Sequence, residues 1–289
     1  MPGFTTHYLF GLNSFRELEE PDLVSCIRKF PHAFCMGLQG PDIFFYYHCL
    51  KANKINEYGN QLHDASYKSL LKQFAQHYSP VMDKTAYLSY VLGFTCHFVL
   101  DSYCHGYIER KDETSTASHG KIESQFDRYL LVKDGYDPIK TSVTTSLKPS
   151  KSVANTIAEC FPNIGQKVIY QTIKDQRMYL NLLKDSSDIK RFVLGHAMDL
   201  VGVSSFKDLF LTKSEDPVCK DSNLRLDKYF EMASKHYPVL AQNVVNYLAH
   251  GEPLMDYFKH TFGPKADYQT IPVYSYQEEQ GYSVNELQK

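Results

Sequence analysis

The sequence contains no tryptophan, no pair of cysteines two residues apart and no excess of charge of either sign. Because tryptophan is absent, the side chains available for aromatic stacking are mainly those of 22 tyrosines and 18 phenylalanines. The 7 cysteines are scattered and odd in number, which argues against a disulfide framework and favours reduced thiols. The formal net charge of −2 gives no bulk electrostatic signal for nucleic acid or an anionic membrane. Recognition of phosphate must therefore come from a local site.

A long hydrophobic run is also missing. The longest apolar stretch, residues 86–100, is too short to cross a bilayer and contains His97. The N-terminal segment MPGFTTHYLFGLNSF lacks the basic and continuously apolar regions of a secretory signal. We therefore expect no transmembrane helix and a cytoplasmic location, or a secreted protein if a leader has been removed.

Helical periodicity is what the sequence does contain. A helix of about ten residues begins at Pro21. The pattern further predicts helices over 60–78, 83–109, from 119 onward, and over 152–160, 166–183, 189–201, 225–249 and 253–261. Residues 135–152 are rich in Pro and Ser and predict a loop, although their β-branched residues leave a short strand open. Residues 263–289 have no sustained period and predict an irregular, tyrosine-rich tail.

Three potential metal ligands follow one another along the predicted helix 83–109. His97, Asp101 and His105 are four residues apart in GFTCHFVLDSYCHGYI, so their side chains project from successive turns of one helix face. Two imidazoles and a carboxylate suit Zn²⁺ or a similar cation. A lone histidine on an apolar helix is more often a core residue. However, His119 and Glu123 repeat the spacing of four a short way on, and the repetition favours metal binding.

Histidines and carboxylates at helical or turn-fixed spacing are concentrated in the first 123 residues. There Gly40 and Pro41 form a turn that fixes Asp42. Collected along the chain, the candidate metal ligands are His7, Asp42, His63, His97, Asp101, His105, His119 and Glu123. This set exceeds the donors that one zinc needs, so we expect two or three zinc ions, with Asp101 as the bridging ligand. His196 and Asp199, spaced by three, form a weaker candidate pair.

The ordered motifs resemble those of a known family. The motifs along the chain are, in order, GPD with the aromatic residues after it, LHD, GxxxHxxxDxxxH and HxxxE. This order resembles that of the zinc-dependent phospholipase C family, which shares its fold with P1-type nucleases. The resemblance extends over about residues 7–130. It implies a single-domain all-α bundle over residues 1–262, with the metal ligands in 7–123 and supporting helices after 150. It also implies a metal-dependent phosphoric diester hydrolase with zinc as its cofactor.

The resemblance further assigns the candidate ligands to three zinc ions. Asp42, His63, His97 and Asp101 surround the first ion, Asp101 and His7 serve the second, and His105, His119 and Glu123 hold the third. Secreted members also use the free amine and carbonyl of the mature first residue as ligands. This chain departs from that pattern, because Met1 lies six residues ahead of His7.

Such a centre is expected to hydrolyse a phosphodiester, most simply that of a phospholipid. Two neighbouring cations lower the pKa of a bridging water and supply hydroxide for in-line attack on phosphorus, while a third stabilises the leaving alkoxide. Asp42 is the expected catalytic residue, as a terminal ligand, an orienting group or a proton acceptor. The aromatic side chains beside it are candidates for contact with a choline-like headgroup, for stacking on a base, or for the core, and they are Phe44, Phe45, Tyr46 and Tyr47.

The sequence leaves three other functions open. A P1-like nuclease would use the same metals on single-stranded nucleic acid, although we expect no stable nucleic-acid partner. An HD-type metal phosphohydrolase would use His32, His63, Asp64 and Asp101 and leave the other candidates unexplained. A helical protein that binds metals without catalysis is the third alternative. Transient contact with a membrane surface and the oligomeric state are left undecided.

Overall fold

Twelve α-helices make up most of the regular structure in the residues that the computed structural model describes, which are 3–183, 188–200 and 204–284. Their bounds are α1 Phe4–Arg16, α2 Pro21–Lys29, α3 Pro31–Gly37, α4 Lys54–Asp64, α5 Tyr67–Tyr78, α6 Lys84–Thr114, α7 His119–Lys133, α8 Lys151–Cys160, α9 Gln166–Leu183, α10 Asp188–Leu200, α11 Lys220–His250 and α12 Tyr276–Gly281. Six 3₁₀ turns complete these ranges, at Gly40–Tyr46, Thr144–Ser146, Ser204–Leu209, Pro217–Cys219, Asp256–Lys259 and Tyr268–Thr270. No β-strand occurs in them, so the predicted all-α fold is confirmed.

The long helix α6 forms the centre of the fold. Asp83 caps its first turn by accepting a hydrogen bond from the backbone N–H of Ala86 at 3.0 Å. Most side chains over residues 86–108 are buried, because apolar residues surround the helix on all sides rather than forming one stripe. Helices α1, α2, α3, α7, α8 and α11 pack around it. Even so, no helix in the described ranges is long and apolar enough to cross a bilayer.

The single helix predicted over 60–78 is wrong, because the structure has two helices there. Helix α4 ends at Asp64, and Ala65 has extended backbone with ψ of 145°. Ser66 then starts α5, since its side-chain oxygen accepts a hydrogen bond from the backbone N–H of Ser69 at 3.3 Å. The helical periodicity continues across this break, so the pattern alone did not reveal it.

The helix predicted over 253–261 is also wrong, and only the 3₁₀ turn Asp256–Lys259 forms there. Helix α11 ends where Gly251 adopts the left-handed conformation with φ of 72°, and the proline two residues later cannot continue a helix. The segment predicted as a loop or short strand over 135–152 contains the 3₁₀ turn Thr144–Ser146 and the start of α8. The short strand that the β-branched residues left open does not form in the described ranges.

A tight turn before Asp42 places this carboxylate against α6. Gly40 has φ of 50°, and a Cβ added there would lie 2.2 Å from Cδ2 of His97. Glycine alone fits a left-handed backbone that approaches an imidazole so closely. Pro41 then lies in the first turn of the 3₁₀ segment that carries Asp42. The turn predicted from the GPD motif therefore holds the carboxylate beside the candidate ligands of α6. These ligands, His97, Asp101 and His105, are called the ladder below.

The C-terminal segment is attached to α11 by a buried glutamate on α12. Glu279 is 1% exposed, and its Oε1 lies 2.8 Å from Nη2 of the buried Arg225. The other carboxylate oxygen lies 3.0 Å from Nζ of Lys228. The Arg225 guanidinium also lies over four aromatic rings, those of Tyr107, Tyr229, Tyr274 and Tyr282. The tail predicted as irregular thus includes a short helix with a specific anchor.

Replacing Glu279 with Ala is expected to lower the free energy of unfolding by about 3 to 5 kcal/mol, because the charge of Arg225 would stay buried without its partner. Denaturant unfolding measures the change. Glu231 offers a matched control, since it pairs with the exposed Lys235 at 2.6 Å on α11. Glu231→Ala should cost less than about 1 kcal/mol. Similar losses in the two variants would contradict the anchoring role of Glu279.

Candidate metal centre

All eight predicted ligands converge in three clusters, and within each cluster the potential ligand atoms lie within 4.8 Å of one another. The first cluster is His7, His97 and Asp101, the second is Asp42, His63 and His97, and the third is His105, His119 and Glu123. Helix α6 contributes to all three, because its ladder residues lie on successive turns. The structure thus brings together every residue of the predicted set, while their role as zinc ligands stays a prediction.

The first cluster is buried where α1 packs on α6. Asp101 has no exposed surface and presents one carboxylate oxygen to each of two histidines. Its Oδ1 lies 3.2 Å from Nε2 of His7, and its Oδ2 lies 3.0 Å from Nε2 of His97. The two imidazoles stack with ring centroids 3.9 Å apart. This is the arrangement that a bridging carboxylate requires.

The second cluster lies at the edge of the first and reaches solvent. Nε2 of His63 lies 2.9 Å from Oδ1 of Asp42, and the same oxygen is 3.8 Å from Nε2 of His97. Nδ1 of His97 lies 3.0 Å from the carbonyl oxygen of Leu38, where it can donate a hydrogen bond and leave the Nε2 lone pair facing the carboxylates. Phe45 stacks on His63 with centroids 5.3 Å apart. The side chains of Asp42 and His63 are 12% and 13% exposed, so this cluster is accessible to solvent.

The third cluster joins the last step of the ladder to the first turn of α7. Nε2 of His119 lies 2.9 Å from Oε1 of Glu123, and Nδ1 of His119 lies 3.3 Å from Oε2 of Glu109. Nδ1 of His105 contacts the carbonyl oxygen of Phe262, so its Nε2 is the nitrogen that is left for a metal. The side chain of His119 is 34% exposed. This cluster also opens to solvent.

Glu109 is a functional candidate that the sequence analysis missed. It lies four residues after His105 and therefore continues the ladder of α6 by one turn. A carboxylate behind a metal-binding histidine fixes the tautomer and the orientation of the ring, and Glu109 stands in this position toward His119. The signal was the same spacing of four, and Glu109 was the last residue of the predicted helix, but its spacing shows no relation to His119, which lies on another helix.

Replacing Glu109 with Gln is expected to weaken the zinc affinity of the third cluster by about 10- to 100-fold, because a neutral amide replaces the charged acceptor that orients His119. Competition with a zinc chelator of known affinity measures the change. Glu113→Gln is the control, since Glu113 lies one turn further along α6, is exposed and pairs with Arg110 at 3.7 Å. The same affinity in the Glu109 variant and the wild type would contradict the orienting role.

Asp127 on α7 is a second residue that the sequence analysis missed, and it holds α1 in place. Its Oδ1 accepts hydrogen bonds from the backbone N–H of Thr6 at 2.7 Å and from the Thr6 hydroxyl at 2.6 Å. Its Oδ2 accepts a third bond from the backbone N–H of Thr5 at 3.2 Å. Burial raises the pKa of Asp127 to about 6. Because α1 carries His7, these bonds to its unpaired first-turn N–H groups also position the first cluster.

The electrostatics of the clusters suit a cation. Burial lowers the pKa of His7 and of His105, which favours neutral imidazoles with free lone pairs. Burial opposes a charge on Asp101, but His97, His105 and His7 outweigh it and hold the pKa of this carboxyl well below its usual range. Burial likewise disfavours a charge on His97, yet Asp101 and Asp42 raise its pKa. The two carboxylates therefore favour positive charge in the space between these side chains.

Several buried polar atoms of the first cluster have no hydrogen-bond partner among the residues that the structure describes. They are Nδ1 and Nε2 of His7, Nε2 of His97 and both carboxylate oxygens of Asp101. Such atoms are uncommon in folded proteins, because each costs the free energy of removing it from water. Imidazole nitrogens and carboxylate oxygens are the donors that zinc takes in proteins. Zinc bound on either side of Asp101 would pair the Nε2 and carboxylate atoms, so the residues present fit this metal.

The residues of the HD-type alternative do not come together. His32 and Asp64 are exposed, and neither belongs to a metal-binding cluster in the described ranges. The weaker candidate His196 is exposed as well, and its Nδ1 lies 2.9 Å from the carbonyl oxygen of Phe192. The Asp199 side chain is outside the described residues. The residues that an HD-type phosphohydrolase would use therefore do not form one metal site in this structure.

Comparison with known families agrees with the fold and with the clusters. The family model of zinc-dependent phospholipase C matches residues 6–174, which is more than half of the 289 residues and includes all three clusters. No curated protein and no solved structure matches the chain. The family that the ordered motifs resemble is thus confirmed. The chain belongs to the zinc-dependent phospholipase C family.

Proposed function

We propose that this protein hydrolyses the phosphodiester of a phospholipid in the manner of a phospholipase C, with zinc held by the three clusters. The family match supports zinc-dependent phosphodiester chemistry as the class of reaction. The observation that carries the proposal is the position of Asp101, whose two oxygens face different histidines at 3.2 and 3.0 Å. A shared carboxylate of this kind is the feature that distinguishes a multinuclear hydrolytic centre from isolated structural metal sites.

The hydrogen bonds of the ligands decide how the ions would share them. Nδ1 of His97 faces the Leu38 carbonyl oxygen at 3.0 Å, so only its Nε2 is free to bind a metal. His97 can therefore serve one ion. Asp101 has two oxygens and can serve two ions. We therefore assign His97 to the cluster of Asp42 and His63, and the shared position to Asp101. The third cluster would hold its own ion, so three zinc ions would bind if every site is filled, and two if the site at His7 is not.

Asp42 is the residue best placed to act on the attacking water. When bound, zinc supplies Lewis acidity and a water of lowered pKa. The Asp42 side chain is 12% exposed at the solvent-facing edge of the clusters, and its Oδ1 contacts His63 at 2.9 Å. A carboxylate in this position can orient a water or accept its proton. Its attachment to the rigid turn at Gly40 keeps it in place during the reaction.

The aromatic residues after Asp42 divide into three roles. Phe44 is fully buried in the core, and Phe45 supports the ring of His63. Tyr46 lines a cavity of about 100 Å³ together with Glu123 of the third cluster. Burial raises the pKa of Tyr46, so its hydroxyl stays protonated and can donate a hydrogen bond to a phosphate oxygen. Only Tyr46 of these three is therefore assigned to substrate binding.

Assays of the zinc-loaded protein on three substrates test the proposal. We expect turnover of a chromogenic phosphorylcholine ester and of phospholipid vesicles, and no comparable turnover of single-stranded DNA. Cleavage of DNA in preference to both esters would overturn the proposal in favour of a P1-like nuclease. Zinc occupancy without turnover of any phosphodiester would overturn it in favour of a metal-binding protein without catalysis.

A further inference from the structure

We propose that the exposed face of α9 and the first turns of α10 form a docking surface for membranes that contain anionic phospholipids. The inference rests on the proposed function, because a phospholipase C must reach a substrate that lies in a membrane. It goes beyond that function by assigning the contact to residues outside the metal clusters. The argument uses apolar exposure, charge and the position of these helices beside the third cluster.

Large apolar side chains are exposed close together along this part of the chain. Met178 and Leu182 on α9 are 54% and 42% exposed, and Phe192 and Val193 on α10 are 66% and 59% exposed. Met178 and Leu182 are four residues apart and so lie on one face of α9. The described ranges hold other close pairs of exposed apolar residues, Val132 with Tyr136 and Tyr274 with Tyr276, but neither pair belongs to a group of four like this one. Exposed apolar side chains grouped in this way indicate an interaction surface.

The charge on α9 points to a negatively charged partner. Its basic side chains, Lys167, Lys174 and Arg177, are all exposed. Its one acidic residue, Asp175, is buried, and a carboxylate oxygen accepts a hydrogen bond from the backbone N–H of His48 at 3.1 Å. Lys174 lies on the same face as Met178, which is four residues later, and Arg177 neighbours Lys174, which is three residues earlier. A helix face with apolar and basic side chains and no acidic one is typical of helices that lie on anionic membranes.

The position of α9 connects this surface to the metal centre. Leu180 and Leu183, at the end of α9, line the same cavity as Tyr46 and Glu123. Leu209, at the end of the 3₁₀ turn that follows α10, lines this cavity as well. The stretch that contains the exposed apolar residues therefore begins and ends at the wall of the cavity beside the third cluster. A membrane that contacts α9 would present lipid headgroups next to this cavity.

Sedimentation of the full-length protein with vesicles tests the docking surface. The wild type should bind phosphatidylcholine vesicles that contain phosphatidylserine. The double variants Phe192→Ser/Val193→Ser and Lys174→Glu/Arg177→Glu should each lower the partition coefficient by about tenfold or more. The control Met82→Ser/Val239→Ser removes apolar residues that are 97% and 56% exposed elsewhere, and it should bind like the wild type.

A parallel assay separates this inference from the proposed function. Turnover of a soluble phosphorylcholine ester should be equal in the wild type and in all these variants, whereas turnover of the vesicles should fall with binding. Wild-type protein that does not bind the vesicles, or variants that bind as well as it does, would overturn the docking surface even if the ester is hydrolysed. A dimer that the Phe192→Ser/Val193→Ser variant dissociates, without a change in vesicle binding, would assign the surface to a second copy of the chain instead. Vesicle binding that the variants lose, without hydrolysis of either substrate, would overturn the proposed function but would still support the docking surface.

Discussion

Replacing Asp101 with Asn is expected to lower kcat/KM for phosphodiester hydrolysis by about 10³-fold or more. The carboxylate presents one oxygen to His7 and the other to His97, so an amide turns one acceptor into a donor that faces a histidine. It also removes the negative charge that two neighbouring ions would share. Loss of that shared ligand should forfeit several kcal/mol of transition-state stabilisation. Steady-state kinetics on a phosphorylcholine ester and the zinc content of the same sample measure both effects.

Asp64→Asn is the matched control for this variant. Asp64 is an exposed carboxylate at the end of α4, directly after His63, and it belongs to none of the three clusters. Its replacement should leave kcat/KM within about twofold of the wild type. If Asp64→Asn abolished activity and Asp101→Asn did not, the assignment of Asp101 as the shared ligand would be wrong.

Replacing Glu123 with Gln is expected to lower kcat/KM by about 10²-fold and to remove about one equivalent of zinc, leaving the other ions bound. The effect is confined in this way because the third cluster shares no residue with the other two. Glu123 contacts His119 at 2.9 Å and also lines the cavity with Tyr46. The loss should therefore combine a missing ligand with a change at the substrate site. Zinc analysis beside single-turnover kinetics distinguishes the two contributions.

Asp134→Asn provides the control on the same helix, because Asp134 is an exposed carboxylate just beyond the last residue of α7. We expect unchanged zinc content and unchanged kinetics for it. Unaltered zinc content in Glu123→Gln together with full activity would show that the third cluster is not a metal site.

The sequence predicted the ladder and the third cluster because helical spacing converts directly into shared position on a face. His97, Asp101 and His105 lie on successive turns of α6, and His119 and Glu123 on the first two turns of α7. No such rule links distant segments. His7 and Asp42 were collected with the other histidines and carboxylates of the first 123 residues, Asp42 because of the turn at Gly40 and Pro41, and the structure shows why they meet α6. Asp127 fixes the start of α1, and the left-handed Gly40 fits against His97.

Other features depended on contacts that no periodicity encodes. The break between α4 and α5 comes from a cap by Ser66. The helical spacing of apolar residues continues across this break, so the sequence pattern does not reveal it. The roles within the aromatic segment after Asp42 depend on direction, since Phe44 points into the core and Tyr46 lines the cavity. The anchor between Glu279 and Arg225 joins residues 54 positions apart. Interactions of this kind are decided by tertiary packing rather than by local pattern.

The zinc content of the gently purified wild-type protein tests the central claim most directly. Because the first two clusters share His97 and the buried donor atoms of the first cluster fit a cation, we expect on the order of two to three equivalents of zinc per chain by elemental analysis. Fewer than two equivalents, at a protein concentration and pH where the chain is folded, would contradict a multinuclear centre built around Asp101.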